Sequence, residues 1–279
     1  MNLETALRQA SGRLEQAGVA APRLTAEVLL AYLLGRPRCY LYAHPEETLS
    51  EPLCRRYERL LAERLAGKPT QYITGRQEFY GREFLVSPAV LIPRPETEHL
   101  VETALAVAAE AGTILDVGCG SGAIAVTLSL ETGRAVWATD ISPAALAVAA
   151  ENARRLGADV RLLVCDLTSA VACATMDLIV CNPPYVPEGE AAGLQREVRQ
   201  FEPPVALFAG PSGLEVYYRL IADAPRVLRP GGWLVLELGY RALDPVRAML
   251  SEGWQDVRVQ ADLAGWPRVL AARWCGAPR

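Results

Sequence analysis

The sequence predicts an α/β fold in which a small helical region precedes a larger domain of alternating strands and helices. Three observations predict it. Apolar residues recur at helical spacing between Leu3 and Leu65. From about Pro95 onward, short apolar runs alternate with helical patterns, as expected of βα units. Three successive runs also carry an aspartate at or just beyond their C-terminal ends, namely Asp116, Asp140 and Asp166. At 279 residues the chain exceeds the common size of one domain, and a hydrophobic content of 51% supplies ample core for two.

In chain order, Leu29, Leu30, Leu33 and Leu34 mark one helix, while Arg55, Arg56, Glu58 and Glu63 decorate another. Gly67-Lys68-Pro69 breaks this pattern, so a helical domain is expected over residues 1–70. Between Thr74 and Ile92 the chain turns β-like, with Tyr80-Gly81-Arg82 joining two short antiparallel strands; residues 71–94 are expected to form a β-hairpin linker. Residues 95–279 then form the main domain. Its first segment, Pro95-Glu96-Thr97-Glu98, suits a helix start, because proline is tolerated in the first turn and acidic side chains favour the positive end of the helix. His99 beside it reads as a surface helix residue and His44, before Pro45, as a loop residue, so no histidine catalysis is expected.

Thr113 to Ala125 reads as strand, glycine turn, helix. Gly118, Gly120 and Gly122 let the chain turn sharply and let a ligand approach the backbone where a helix N-terminus offers free N–H groups. Tight strand-to-helix packing would use the same glycines. The spacing is not that of the dinucleotide fingerprint, and no phosphate-binding G-x-x-x-x-G-K-[ST] occurs. The next strand, Ala135 to Thr139, ends at Asp140, placed to accept hydrogen bonds from a ribose diol; Ser142-Pro143 behind it equally suits a helix cap. A third strand, Val160 to Val164, ends at Cys165-Asp166-Leu167.

A fourth apolar run, Leu178 to Cys181, meets Asn182-Pro183-Pro184-Tyr185. The two prolines remove two N–H donors and set φ, so the strand ends in a rigid corner. Residues before proline are held extended, so Asn182 and Pro183 present their carbonyls in a set direction beside the Asn182 amide. A strand-ending turn accounts for the tetrapeptide on local grounds alone; acceptors gathered to grip a planar –NH2 group are the functional reading. In open α/β sheets ligands lie beyond the C-terminal strand ends, so Asp116, Asp140, Asp166 and Asn182 are expected to converge on one crevice. Acidic and free of lysine or arginine in its glycine turn, that crevice suits a cofactor with a sulfonium, an amino group and a ribose.

Asp116-Val117-Gly118-Cys119-Gly120-Ser121-Gly122-Ala123-Ile124-Ala125 resembles the S-adenosylmethionine site of Rossmann-like methyltransferases, and Asn182-Pro183-Pro184-Tyr185 resembles the motif of those that methylate amide or exocyclic amino nitrogens. Gln71-Tyr72-Ile73-x-Gly75, Glu78-Phe79-Tyr80-Gly81, Ile92-Pro93-Arg94-Pro95-Glu96-Thr97-Glu98, Phe201-Glu202-Pro203 and Leu228-x-Pro230-Gly231-Gly232 narrow this. Together they are similar to the HemK/PrmC protein-(glutamine-N5) methyltransferases that modify bacterial peptide chain release factors. The resemblance covers nearly the whole chain; Thr25 stands where the family pattern is expected to carry Asp.

The resemblance implies a Rossmann-like class I methyltransferase fold with a seven-stranded sheet, whose strand at Val269 to Trp274 enters antiparallel beside Trp233 to Leu238 and Val257 to Val259. It implies S-adenosyl-L-methionine as cofactor, S-adenosyl-L-homocysteine as product, and cofactor contacts from Asp116, Gly118, Cys119, Gly120, Ser121, Gly122, Asp140, Asp166, Leu167 and Asn182. Asn182, Pro183 and Tyr185 take the catalytic roles; by its place after the prolines Tyr185 is expected to cover the reacting group, a packing aromatic being the alternative. Asn182, Pro183, Pro184, Tyr185, Arg94 and Glu96 take substrate contacts, with no metal. The substrate implied is the glutamine of the Gly-Gly-Gln motif in release factors 1 and 2, gripped in part by the helical domain.

Competing readings use the same corner on other substrates: a ribosomal-protein glutamine, or an adenine amino group flipped out of nucleic acid. Against DNA stand 28 Lys and Arg facing 32 Asp and Glu, a net charge of −4 and a pI near 5.4. A non-catalytic binding module gives no reason for acceptors aimed at a transferable methyl. No apolar run approaches the ~20 residues of a membrane span, and Met1-Asn2-Leu3-Glu4-Thr5 is charged early without a signal-peptide hydrophobic region. The seven cysteines are an odd number without C-x-x-C spacing and read as reduced thiols. A monomeric cytoplasmic protein is expected.

Overall fold

Asn2 starts the first helix: its side-chain oxygen accepts the backbone N–H of Thr5 at 2.9 Å, capping α1 (Leu3–Gln16). In the computed structural model, which describes residues 1–107 and 112–276, four more helices follow. They are α2 (Pro22–Leu34), α3 (Arg38–Ala43), α4 (Glu51–Leu65) and α5 (Thr70–Thr74). Leu3, Leu7, Leu14, Leu29, Leu30, Tyr57 and Leu61 are buried together as their core. Glu27 lies within this unit with its side chain only 1% exposed, paired to Arg23 at 2.7 Å and Arg38 at 2.8 Å and hydrogen-bonded by the Tyr42 hydroxyl. Burial opposes ionisation, but these bonds outweigh it and hold the carboxyl below the usual range.

Helical structure expected to stop at residue 70 runs on through α5, because Pro69 begins a new helical turn and Tyr72 and Ile73 are buried in it. The first compact unit comprises Met1–Arg76 and Gln195–Phe201, and the second Gln77–Leu194 and Glu202–Arg279. The hairpin β1 (Arg76–Phe79) and β2 (Arg82–Leu85) forms where expected, its two-residue turn having positive φ at both Tyr80 and Gly81.

A 3-10 turn at Pro95–Thr97 leads into α6 (Glu98–Val107), β3 (Ile114–Val117), α7 (Ala123–Thr132), β4 (Val136–Asp140), α8 (Pro143–Leu156) and β5 (Val160–Val164). Next come β6 (Met176–Cys181), β7 (Val186–Pro187), α9 (Arg196–Phe201), α10 (Pro204–Leu207) and β8 (Phe208–Gly210). Then α11 (Glu215–Val227), β9 (Leu228–Glu237), α12 (Leu243–Ala248), β10 (Trp254–Ala261) and β11 (Pro267–Trp274) complete the chain. The main domain was expected to keep the whole of residues 95–279. Instead α9 belongs to the first unit, where Glu197 pairs with the buried Arg64 at 2.5 Å and Arg196 donates to the Ala66 carbonyl at 3.1 Å. A short helix whose partners are a salt bridge and a helix-end carbonyl leaves no periodic apolar signal to announce them.

The main sheet has seven strands in the order β10-β11-β9-β6-β3-β4-β5. β9, β6, β3, β4 and β5 pair in parallel, and β11 enters antiparallel to both of its neighbours, as expected. Alternate residues of each strand supply opposite faces. Ile114, Leu178 and Val180 meet α6 and α7 through Leu100, Val101 and Leu128. Leu115, Ile179 and Leu236 meet α11 through Leu220, Ile221 and Val227. Strand order reverses between β3 and β6, so the loops after Val117 and Cys181 open side by side at one sheet edge.

Candidate active site

The glycine turn after β3 is held from the neighbouring strand: the N–H groups of Gly118 and Cys119 both donate to the Thr139 carbonyl, at 2.8 and 2.9 Å. Gly118 and Gly120 have φ of 73° and 53°, a region that side-chain-bearing residues enter only with strain. From the tip of β4, Asp140 accepts the Gly120 N–H at 2.8 Å through one carboxylate oxygen and the Ser142 N–H at 2.8 Å through the other. Ser142 in turn caps α8, accepting the Ala145 N–H at 3.2 Å. Asp140 therefore ties the turn together and also stands in the cavity wall.

That cavity is lined by Gly118, Gly120, Asp140, Asp166, Leu167, Asn182, Pro183 and Pro184, with Leu91, Val205 and Phe208 among its apolar wall. Among the described residues, the charged ones in its wall are Asp140 and Asp166. Asp166 is also paired with Arg219 at 2.5 Å. A second, smaller cavity is lined by Cys119, Ser121, Pro93, Arg94 and Thr97 and shares Gly118, Gly120 and Asn182 with the first, so Asn182 stands in the wall of both. Arg94 is held there by the buried Glu202, which also accepts the Ile92 N–H at 3.4 Å.

Four residues expected at the site line neither cavity. Asp116 is fully buried behind the turn, where it accepts the Ala125 N–H at 3.0 Å and braces the start of α7. Its other oxygen has no partner, and burial, with the charge of Asp140 adding to it, pushes the carboxyl up to about 7. Gly122 abuts Ala149 of α8, so it serves close packing. Glu96 is exposed to solvent. Tyr185, expected to cover the reacting group, instead packs its ring on Gly239 at the end of β9, where a methyl group would come within 2.7 Å of Cδ2. The ring takes the space that a residue without a side chain leaves open. Burial pushes its phenol up to about 12.

Residues 5–75 match the family model of the PrmC N-terminal domain, and residues 96–198 that of the methyltransferase small domain. The release factor glutamine methyltransferase of Koribacter versatilis is 48% identical over 98% of this chain and 99% of its own length. The protein of that description from Nitratidesulfovibrio vulgaris is 44% identical over 97% of this chain and 95% of its own. The chain belongs to the release factor glutamine methyltransferase family. Its fold is shared more widely: a methyltransferase from Pyrococcus furiosus superposes with a TM-score of 0.54 at 21% identity, over 80% of this chain and 98% of that one.

Two features of this family member escaped the sequence reading. Thr97, lying between the expected contacts Arg94 and Glu96 and the helix that follows, is 4% exposed and accepts the Asn182 Nδ2–H at 3.2 Å. Asn152 on α8 is fully buried, donating to the carbonyls of Leu85 and Ser121 at 2.9 Å each and accepting the Leu85 N–H at 2.7 Å. It ties the hairpin to the glycine turn. A lone polar residue on the inner face of a helix pattern was the available signal for Asn152; for Thr97, it was a hydroxyl in an otherwise acidic helix start.

Proposed function

We propose that the protein transfers a methyl group from S-adenosyl-L-methionine to the side-chain amide nitrogen of the glutamine in the Gly-Gly-Gln motif of peptide chain release factors 1 and 2. It would act as a monomer in the cytoplasm. The observation that carries the chemistry is that Asn182 stands in the wall of two cavities, the first holding Asp140 and Pro183 and the second Arg94 and Thr97, with the glycine turn in both walls. The names of relatives more than 40% identical over nearly the whole chain support the substrate.

Two observations fit the cofactor. Among the described residues the wall of the first cavity carries acidic side chains and no basic one, and the buried carboxyl of Asp116 lies behind the glycine turn. Acidic groups in and behind the wall favour a cationic ligand. Gly118 and Gly120 let the ligand approach the backbone, Asp140 takes the ribose hydroxyls, and Asp166 and Leu167 take the base end. When bound, S-adenosylmethionine supplies an electrophilic methyl on a sulfonium and leaves as S-adenosylhomocysteine.

A glutamine amide nitrogen is a weak nucleophile because its lone pair is delocalised into the carbonyl. The Asn182 side-chain oxygen and the Pro183 carbonyl accept its two hydrogens and point the nitrogen at the methyl. Positioning and fixed dipoles, rather than a strong base, provide the rate gain. The nitrogen sheds its proton after methylation, when it has become acidic, so the wall needs no histidine. The test incubates the protein with labelled S-adenosylmethionine and a release factor, beside its Gly-Gly-Gln glutamine-to-alanine variant, a ribosomal protein and DNA. Label on the intact motif alone is expected; label on DNA or the ribosomal protein instead would overturn the substrate.

A further inference from the structure

The first cavity takes its wall from the ends of β3, β4 and β6, and in the sheet order β9 and β11 lie on the other side of β6. Cys181 and Leu236 pair across the parallel strands β6 and β9, so the segments after them leave the sheet at the same edge, side by side. β11 begins at that edge too, where the Arg268 carbonyl accepts the Leu238 N–H at 2.7 Å. The ring of Tyr185 closes on Gly239, and Gly239 belongs in turn to the wall of a separate cavity of about 260 Å3, with Tyr240, Arg241, Trp266 and Arg268. The proposed methyl transfer leaves this surface unused.

Its aromatic side chains are exposed, yet their supports are built. Tyr240 is 60% and Trp266 49% exposed; their ring centroids lie 5.1 Å apart at 69°, and the Arg241 guanidinium sits over the Tyr240 ring, 4.9 Å from its centre. Asp262 fastens the tip between β10 and β11 that carries Trp266. Its carboxylate accepts the N–H groups of Ala264 and Trp266 at 2.9 Å each and Arg268 Nε at 2.8 Å, while its own N–H donates to the Trp266 carbonyl at 2.8 Å. Two large rings thus stand about half in water, one of them on a braced tip. Tyr, Trp and Arg dominate the hot spots of protein interfaces, where rigid rings bind at low cost in side-chain entropy.

We propose that Tyr240 and Trp266 form a docking surface for the protein substrate, holding the segment that flanks the glutamine gripped at Asn182. This rests on the proposed role of Asn182. From β6 to β11 is two strand spacings, roughly 10 Å, which about three extended residues span. A chain whose glutamine sits at Asn182 therefore meets the rings with the residues next to that glutamine. The charge balance suits a polypeptide: Arg268 is paired with Asp262 at 2.8 Å, and Asp244 shares the cavity wall with Arg241, so the described wall offers no surplus of positive charge to a phosphate backbone. These few side chains also fall short of the roughly 20–30 residues a side of a stable dimer, which argues against a second copy as the occupant. The surface touches no reacting atom and supplies affinity alone.

The test has two arms on the full chain with a purified release factor. In the first, Tyr240→Ala, Trp266→Ala and the double variant are compared with the wild type. The KM for the release factor should rise on the order of tenfold to a hundredfold in the double variant, with kcat, the KM for S-adenosylmethionine and the thermal unfolding profile close to wild type; Trp266→Phe should keep most of the affinity. An unchanged release-factor KM in the double variant overturns the proposal, and so does a fall in kcat without a rise in KM. In the second, a photo-crosslinking residue in place of Tyr240 should capture the release factor within about five residues of the Gly-Gly-Gln glutamine, mapped by mass spectrometry. Crosslinks only elsewhere on the release factor, to a second copy of this chain, or to added RNA overturn it. A wild type that methylates no release factor overturns the substrate reading and, with it, the occupant named here; normal wild-type activity with unaffected variants overturns the docking role alone.

Discussion

Asp140 accepts the backbone N–H of Gly120 at 2.8 Å, so the tip of β4 holds the glycine turn of β3 closed from the neighbouring strand. One carboxylate thus shapes the ligand cradle and lines it. Replacing Asp140 with Asn leaves one oxygen for two backbone donors and turns an –NH2 toward one of them. The affinity for S-adenosylhomocysteine, read by calorimetry, should fall at least on the order of tenfold, as expected when a charge-assisted hydrogen bond is lost.

Asn182→Ala removes one of the two proposed acceptors for the substrate amide. Turnover should drop on the order of a hundredfold or more, with cofactor affinity changed far less and the thermal unfolding profile retained. A rate within a few-fold of wild type would sink the role assigned to Asn182.

Gly239 packs flat against the ring of Tyr185, and a methyl group added there would lie 2.7 Å from Cδ2. Gly239→Ala must therefore displace the ring, and with it the Asn182-Pro183-Pro184 corner. Stability should fall by about 1–3 kcal/mol, the usual cost of overpacking. Activity should fall by more than that loss of folded protein explains, measured as kcat per mole of folded enzyme.

Asp116 and Glu237 are each raised by burial to about 7, above the unfolded carboxylate range. Between the two values the folded state binds more protons than the unfolded one, so stability falls as pH rises through that window and levels off above about 7. Denaturant unfolding at pH 5, 6, 7 and 8 should show this decline, and Asp116→Asn or Glu237→Gln should flatten it. Carboxyls held low by partners, such as Glu27 and Asp177, act oppositely, losing their stabilisation as pH falls toward 4 and below.

Glu27 is the buried hub of the first unit, receiving bonds from Arg23, Arg38 and Tyr42. Glu27→Ala removes all of them and opens a void, though both arginines are about half exposed and can turn to water. The loss should be about 1–3 kcal/mol, visible as a lower Tm.

The fold and the general place of the site were legible because both rest on local signals. Alternating βα units, three strands ending near aspartates and a proline corner after an apolar run state their elements within a few residues of sequence. The antiparallel entry of β11 came from the family likeness, since nothing local distinguishes a reversed strand. The return of α9 to the helical unit was illegible, because its contacts with Arg64 and Ala66 join residues more than 100 apart in the chain.

By itself, the sequence determined that Asn182 precedes two prolines, that glycines follow β3 and that an acidic residue ends β4; these constraints act through φ angles and strand ends. Only the tertiary structure decided what each side chain faces. It sent Asp116 behind the turn to brace α7, laid Tyr185 on Gly239, and set Thr97 beside the Asn182 amide. The physical reason is that a buried polar group must find its partners in space, and the fold brings together residues such as Thr97 and Asn182 that no sequence window contains.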